Sequence, residues 1–434
     1  QFEGDGGVDF NYSITPQLKA NFTINTDFAE TEVDQRRVNL TRFPLFFPER
    51  RGFFLDGATF FEFARELPTN NMIRPFFSRQ IGLDADGHPQ RIDYGAKLTG
   101  QIGPYDLGLM HIGTARSERL PGEDFTVLRA KRRLFLVSYA GLLYTRRAGR
   151  DTNAPDRQTV GIDFSLGTTR LRGSQNLEVS GYYLWSTPTG SEKDTAAYGL
   201  RVDYPNSFWD AQVTLREIQS GYDPAVGFVD RRGVRTYNPI LFVTPRPENS
   251  RVRNYSFTAG MEVLTDTENR LLTRSLNFGV FRVNFHSGDT FLFNINPTHE
   301  RLERDFEISQ GVLLPHGSTF NFTRYRVQAA TATRRMVSVT TRYENGTFYS
   351  GRRRDFVLNM GLRPRTGVQV NLNNEWSRIE LPEGNFSTSV LRLTVNNQFG
   401  PWISAANNVQ YDSVTRILGW QSRFRWIVRP GNNI

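Results

Sequence analysis

Apolar side chains return at every second position in run after run of this chain, and no other feature restricts its fold as strongly. Val8, Phe10 and Tyr12 are followed by Leu18, Ala20, Phe22 and Ile24, with Thr15-Pro16 between the two runs as a turn. The pattern recurs at Ala96/Leu98, Tyr105/Leu107/Leu109, Leu177/Val179/Gly181/Tyr183/Trp185, Tyr198/Leu200/Val202/Tyr204 and Trp209/Ala211/Val213/Leu215. It continues through Tyr255/Phe257/Ala259/Met261/Val263, Phe356/Leu358/Met360/Leu362, Val368/Val370/Leu372 and Leu418/Trp420/Ser422/Phe424/Trp426/Val428. A period of two is the period of a strand, and each run has about the 9–11 residues with which a tilted strand crosses a bilayer.

No apolar run approaches the roughly 18 residues of a membrane helix. A transmembrane barrel passes this test, because only every second residue of its strands must face lipid. The alternate positions carry polar groups, as in Gln369, Asn371, Asn373 and Glu375, which suits a water-filled interior better than a sandwich core. Aromatic residues make up 13% of the chain, with 34 Phe and 16 Tyr, an abundance expected where rings anchor at membrane interfaces. Trp185, Tyr204, Trp209, Trp402 and Trp420 flank turns or strand ends and are the expected interface aromatics.

Connection lengths alternate as well. Tight turns are expected at Thr15-Pro16, Gly103-Pro104, Pro205-Asn206, Ser287-Gly288, Arg363 to Thr366 and Gly400-Pro401, and longer loops at 114–124, 147–157, 219–233, 298–318 and 379–386. Short turns on one rim and long loops on the other are how outer-membrane barrels are built. With the short rim periplasmic, the run at residues 7–14 heads downward, so a strand is expected before residue 1. The fold class read from these features is all-β: an antiparallel transmembrane barrel of about 20 or more strands, one domain over residues 1–434, in the outer membrane of a Gram-negative bacterium.

The net charge is +9, and of 53 basic residues only Lys19, Lys97, Lys131 and Lys193 are lysine, which leaves 49 arginines. They lie singly along alternating strands and form no helical recognition patch, so nucleic acid is not an expected partner. Outer-membrane lipid and lipopolysaccharide are, together with other outer-membrane or periplasmic proteins. Cysteine is absent, which removes disulfides, thiolate metal sites and thiol nucleophiles.

Residues 27–91 interrupt the alternation and are far longer than an ordinary connection. They contain Phe43, Phe46, Phe47, Phe53, Phe54, Phe60, Phe61 and Phe63, too many rings to leave in water, and also Glu49, Arg50 and Arg51, too polar for lipid. A segment folded into the lumen as a plug satisfies both demands, with Glu49 paired to an arginine in a charge-assisted contact. The alternative is an extracellular flap packed on itself.

Several pieces of this region and beyond resemble a family of outer-membrane barrels catalogued as domain of unknown function 5916. They are Asp27-Phe28, Val38-Asn39-Leu40-Thr41, Phe46-Phe47-Pro48-Glu49-Arg50-Arg51-Gly52-Phe53-Phe54 and Phe76-Phe77-Ser78-Arg79-Gln80-Ile81-Gly82. Further pieces are Val127 to Arg132, Val226 to Arg231, Pro315 to Phe320 and Gln410 to Ser413. The resemblance implies a barrel often preceded by a periplasmic sugar-binding-like domain, which has no counterpart here, and a turn at Arg429 to Asn433 that leads into further strands. It carries no established activity.

Catalytic and metal chemistry have little footing. His88, His111, His286, His299 and His316 lack ligand spacing, and Asp84-Ala85-Asp86-Gly87 lacks the remaining ligands of a calcium loop, so no metal or cofactor is expected. His299 with Glu300, Glu303 and Asp305 is the candidate for a hydrolase constellation, though proximity in sequence is not catalytic geometry. The acidic run Asp27, Glu30, Glu32 and Asp34 reads as a partner for lumen arginines, or less simply as a cation site. The expected function is a pore or transporter whose arginines favour anionic or polyhydroxylated solutes, not an enzyme. The alternative is a non-conducting barrel that anchors or assembles an outer-membrane complex.

Overall fold

The computed structural model describes residues 7–26, 38–44, 46–64, 73–83, 90–116, 121–150, 156–188, 190–248, 250–429 and 432–433. The acidic run at 27–34, the turn at 84–87 and His88 lie outside these residues. The described chain is an antiparallel meander. Val8–Thr15 pairs with Leu18–Thr26, which pairs across the insertion with Ile92–Ile102, and each later long strand pairs with the next as far as Ile417–Arg429. Twenty-one strands are joined this way, and the two-residue Asn432–Asn433 is added against Ile427 and Arg429. The first and last long strands therefore run in the same direction, and among the described residues no ladder joins them.

The tight turns fall where proline, glycine and serine predict them, at Thr15/Leu18, Ile102/Tyr105, Pro205/Trp209, Phe285/Thr290, Arg365/Val368 and Gln398/Ile403. All lie on one rim. On the other rim long connections separate Thr114 from Glu123, Ile218 from Val234 and Arg301 from Thr319. The expected loop at 379–386 is a correction: the strands run on to Leu381 and resume at Gly384, leaving Pro382-Glu383 as a two-residue turn. Ile379 and Leu381 are buried beneath a neighbouring hairpin, which gives these positions the apolar cover a strand end needs in place of a solvated loop.

That hairpin, Phe306–Ser309 with Val312–Leu314, folds out of the 301–319 connection and shares an apolar cluster with Leu302, Phe348 and the two residues just named. Elsewhere the two faces of the sheet differ sharply. One exposes Tyr183, Trp185, Tyr198, Leu200, Val202, Val213, Leu215, Phe356, Met360, Leu391 and Leu393. The opposite face of the same strands buries Ser180, Tyr182, Leu184, Ala197, Thr214 and Ile218. Among the described residues no helix is long and apolar enough to cross a membrane.

The sheet is also curved. The inserted segment meets Leu18–Thr26 through Asp56 and Thr290–Arg301 through Arg42, strands that are twelve positions apart in the meander. On a flat sheet at about 4.8 Å per strand that is roughly 58 Å. The chain from Arg42 to Asp56 reaches about 49 Å at full extension, and the helical turn Gly52–Leu55 shortens it further. A sheet curved around the segment brings both strands within reach of Arg42 and Asp56.

Candidate functional site

The site is the concave face and what lies on it. Two of its glycines, Gly108 and Gly161, stand where a large side chain presses on the sheet. A Cβ on Gly108 would lie 2.9 Å from Cε1 of Phe61, and one on Gly161 would lie 2.9 Å from Cζ of Phe63. No side chain fits between sheet and ring at either point. Around these contacts Phe54, Phe61 and Phe63 form one core with Met110, Ile112, Phe125, Val127, Leu143, Tyr182 and Leu184 of the strands.

Ion pairs fix the same segment at both ends. Lys19 meets Asp56 at 2.7 Å, Asn21 donates to the same carboxylate at 3.0 Å, and Lys97 Nζ donates to the carbonyls of Phe53 and Asp56. The hydrogen bond from Lys19 holds the Asp56 carboxyl below its ordinary range. Two strands along, Arg129 grips Asp163 through two parallel bonds of 2.6 and 2.8 Å, with both side chains fully buried. Arg129 Nε also donates to the Glu62 carbonyl at 3.0 Å, and Asp163 accepts the Ala64 N–H at 2.9 Å. The pair reaches across the intervening strand only because residue 141 is glycine: a Cβ there would lie 2.5 Å from Arg129 Nη1.

The residues singled out in the sequence form a compact knot next to this clamp. Glu49 accepts the backbone N–H groups of Arg50 and Arg51, both at 2.9 Å, and the Arg51 side chain at 2.8 and 2.7 Å. Ser78 Oγ donates to it at 2.7 Å. Burial pushes the Glu49 carboxyl up, but the hydrogen bonds and charge of Arg51 outweigh it and hold the group below its usual range. Arg51 also donates to the carbonyls of Ile81 and Ser78 at 2.6 and 2.7 Å and lies over the Phe54 ring. These bonds join residues of the segment to one another. Phe46 packs against Phe77 and Phe228 at 5.0 and 5.8 Å, Phe53 against Phe54 at 5.3 Å, and Phe47 under Arg79.

A third anchor ties the start of the segment to the far strands. Arg42 meets Glu300 at 2.6 Å, and the guanidinium groups of Arg42 and Arg231 lie 5.1 and 5.4 Å from the centre of the Phe43 ring, the latter paired with Glu303 at 2.8 Å. The acidic residues beside His299 are therefore drawn away from it. Adjacent strand residues face opposite sides, so His299 pairs with Asn321 at 2.9 Å while Glu300 turns to the concave face.

Of the aromatic residues expected at interfaces, Tyr204, Trp209 and Trp402 stand at the tight-turn rim and Trp185 at the opposite one. Trp420 lies three residues in from the start of its strand at Ile417 and is strongly exposed. Arg129 and Asp163 were missed as a site. The signal for Arg129 was a charge on the strand side that carries Phe125 and Val127, whereas Asp163 faces Gly141 only through the register.

A family model described as Domain of unknown function (DUF5916) matches residues 1–101, which is the family the sequence resembles. The match takes in the first two strands, the inserted segment and most of Ile92–Ile102. No curated protein matches the chain.

Proposed function

We propose that this chain is a β-barrel of the bacterial outer membrane acting as a pore or transport protein, its arginine-rich lumen partly plugged by the inserted segment. The observation that carries the reading is the exposed apolar face. Leu200, Val202, Val213, Leu215, Leu391 and Leu393 recur across strand after strand, exposed, with none of the described residues covering them. An apolar surface of this extent is far beyond what soluble monomers leave in water, and lipid is the solvent that suits it. The concave face carries Asn359, Asn371, Asn373, Thr394 and Gln410, groups suited to an aqueous interior. Tyr204, Trp209 and Trp402 at one rim and Trp185 at the other then belong to the two headgroup belts. Closure through antiparallel ladders takes one more strand between the parallel edges, whichever chain supplies it.

The buried Arg129–Asp163 clamp favours a second reading, in which the segment never leaves and the barrel is a non-conducting anchor or a subunit of a larger complex. Single-channel recording in planar bilayers separates the two. As a pore, the intact protein conducts weakly, and deletion of residues 43–63 raises the conductance several-fold. Silence from both forms, with the deleted form folded, removes the pore and leaves the anchor. In neither reading does the protein perform a catalytic step.

A further inference from the structure

The concave face is not uniformly covered. Beside the inserted segment, on the strands from Ala196–Pro205 to Leu271–Phe285, lies a recess of about 270 Å³. At about 30 Å³ per molecule it has room for roughly nine waters, or for one sugar ring. Gly260 forms part of its floor, and here, unlike at Gly108 and Gly161, no ring presses down. A Cβ on Gly260 would meet Ile240 and Asn277 at ordinary distances of 3.5 and 3.7 Å.

The lining alternates donors and acceptors in close pairs. Arg201 bonds Asp203 at 2.7 Å and Gln212 at 2.8 Å, and Asn238 donates to Glu262 at 3.2 Å. Next to them Asn277 Oδ1 accepts from Asn294 at 3.0 Å and Asn296 at 3.3 Å. Thr236 Oγ1 of the lining, and Asn296 Oδ1 beside Asn277 at its edge, are buried with no hydrogen-bond partner among the described residues. A buried polar atom left unpaired costs about 1–3 kcal/mol, so such atoms mark places where a ligand or water belongs.

Charge decides which ligand. Arg201 and Arg216 line the recess and alone would draw an anion, but Glu262 lines it with them and Asp203 pairs with Arg201 at 2.7 Å, so an anion meets carboxylates as well as guanidinium groups. A hydroxyl donates to one neighbour while accepting from another, and a pair of adjacent hydroxyls matches each of these donor–acceptor pairs. We infer that this recess is a binding subsite for a neutral polyhydroxylated solute, one sugar unit of an oligosaccharide. The inference rests on the lumen reading above and narrows its solute class.

The test uses the purified full chain in detergent, titrated calorimetrically with maltotriose and cellotriose, and separately with sodium sulfate as the anionic probe. Saturable binding of a trisaccharide, undisturbed by sulfate, is expected. Gly260→Leu, which fills the floor, should weaken it at least tenfold, and Thr236→Val, which removes one hydroxyl at almost constant shape, about three- to tenfold. Should Gly260→Leu not fold, Thr236→Val alone reads the outcome. Binding of neither trisaccharide, displacement by sulfate, or equal affinity in the folded variants overturns the subsite. Because binding is read without a membrane, a bilayer silent in the conductance experiment with trisaccharide binding intact removes the pore and leaves the subsite.

Discussion

Two stretches of the sheet present the same outer face and different inner ones. From Ile92 to Ile218 the concave side is lined by Met110, Ile112, Val127, Leu143, Leu184 and Ile218, with glycines under aromatic rings. From Val368 to Asp412 it is lined by Asn371, Asn373, Thr394 and Gln410, with amides bonding hydroxyls and one another, as Asn371 does to Thr394 at 3.2 Å. The outer side of both is Leu, Val, Tyr and Trp. Outer alternation thus reports only what surrounds the sheet, while the inner residues report what each stretch has inside it: a packed segment in one, open polar space in the other.

The largest effect that follows is on the charged clamp. Asp163→Ala leaves Arg129 buried without its carboxylate and should cost about 3–5 kcal/mol in urea unfolding from lipid vesicles. Asn373→Ala in the amide-lined stretch should cost under about 1 kcal/mol. Equal losses would mean that the two stretches are packed alike, and the contrast between them would fall.

The outer face is tested next. Val179 pairs with Leu166 and Val202 on the two flanking strands, and both of those are exposed. Val179→Arg should cost about 2–4 kcal/mol if the position lies near the midplane of a bilayer. A cost near zero in refolding from vesicles, with a large one for Ser180→Arg, would exchange the two faces.

A smaller effect is expected beneath the segment. Gly108→Val places methyl groups where Phe61 lies and should cost about 1–3 kcal/mol by overpacking. Trypsin cleavage between Arg50 and Arg51 should accelerate in parallel as the segment lifts. Unchanged cleavage at reduced stability would show that the ring contact and the seating of the segment are independent.

How much of this was legible beforehand follows from the range of each signal. Strands and tight turns are local, so Trp185 and Tyr183 on one face, and Ser287-Gly288 at a turn, were readable from neighbours in sequence. The knot at Glu49 and Arg51 was half readable: the charge pairing was foreseen, but Arg51 supplies it from two residues away and Ser78 completes it from within the segment. Arg129 and Asp163 are separated by 34 residues and one whole strand, and only the register shows that Gly141 opens the way between them. The strand ends at Leu381 and Gly384 were misjudged because the hairpin that covers them, Phe306 to Leu314, lies about seventy residues earlier in the chain.

The smallest effect concerns two carboxylates outside the strands whose shifts have opposite sign. Glu49 is held below its ordinary range, so its contribution to stability is present above the unfolded value of 4.5 and is lost as pH falls through its folded value. Asp230, in the connection between Ile218 and Val234, is pushed up to about 6 by burial, and its Oδ1 has no hydrogen-bond partner among the described residues. Its sign is reversed: the protonated form fits the folded chain, so the stability it lends is complete below the unfolded value of 3.8 and disappears as pH rises through about 6. Asp230→Asn keeps the shape and cannot ionise. It should therefore match the parent chain near pH 4, exceed it in urea midpoint at pH 7.5, and diverge mainly between those values. Glu49→Gln should do the opposite, with its largest deficit at pH 7.5 and a narrowing gap in acid. Parallel curves for Asp230→Asn and its parent from pH 4 to 7.5 would mean that water reaches this carboxylate, and the covered stretch would then be more open near Asp230 than at Arg129.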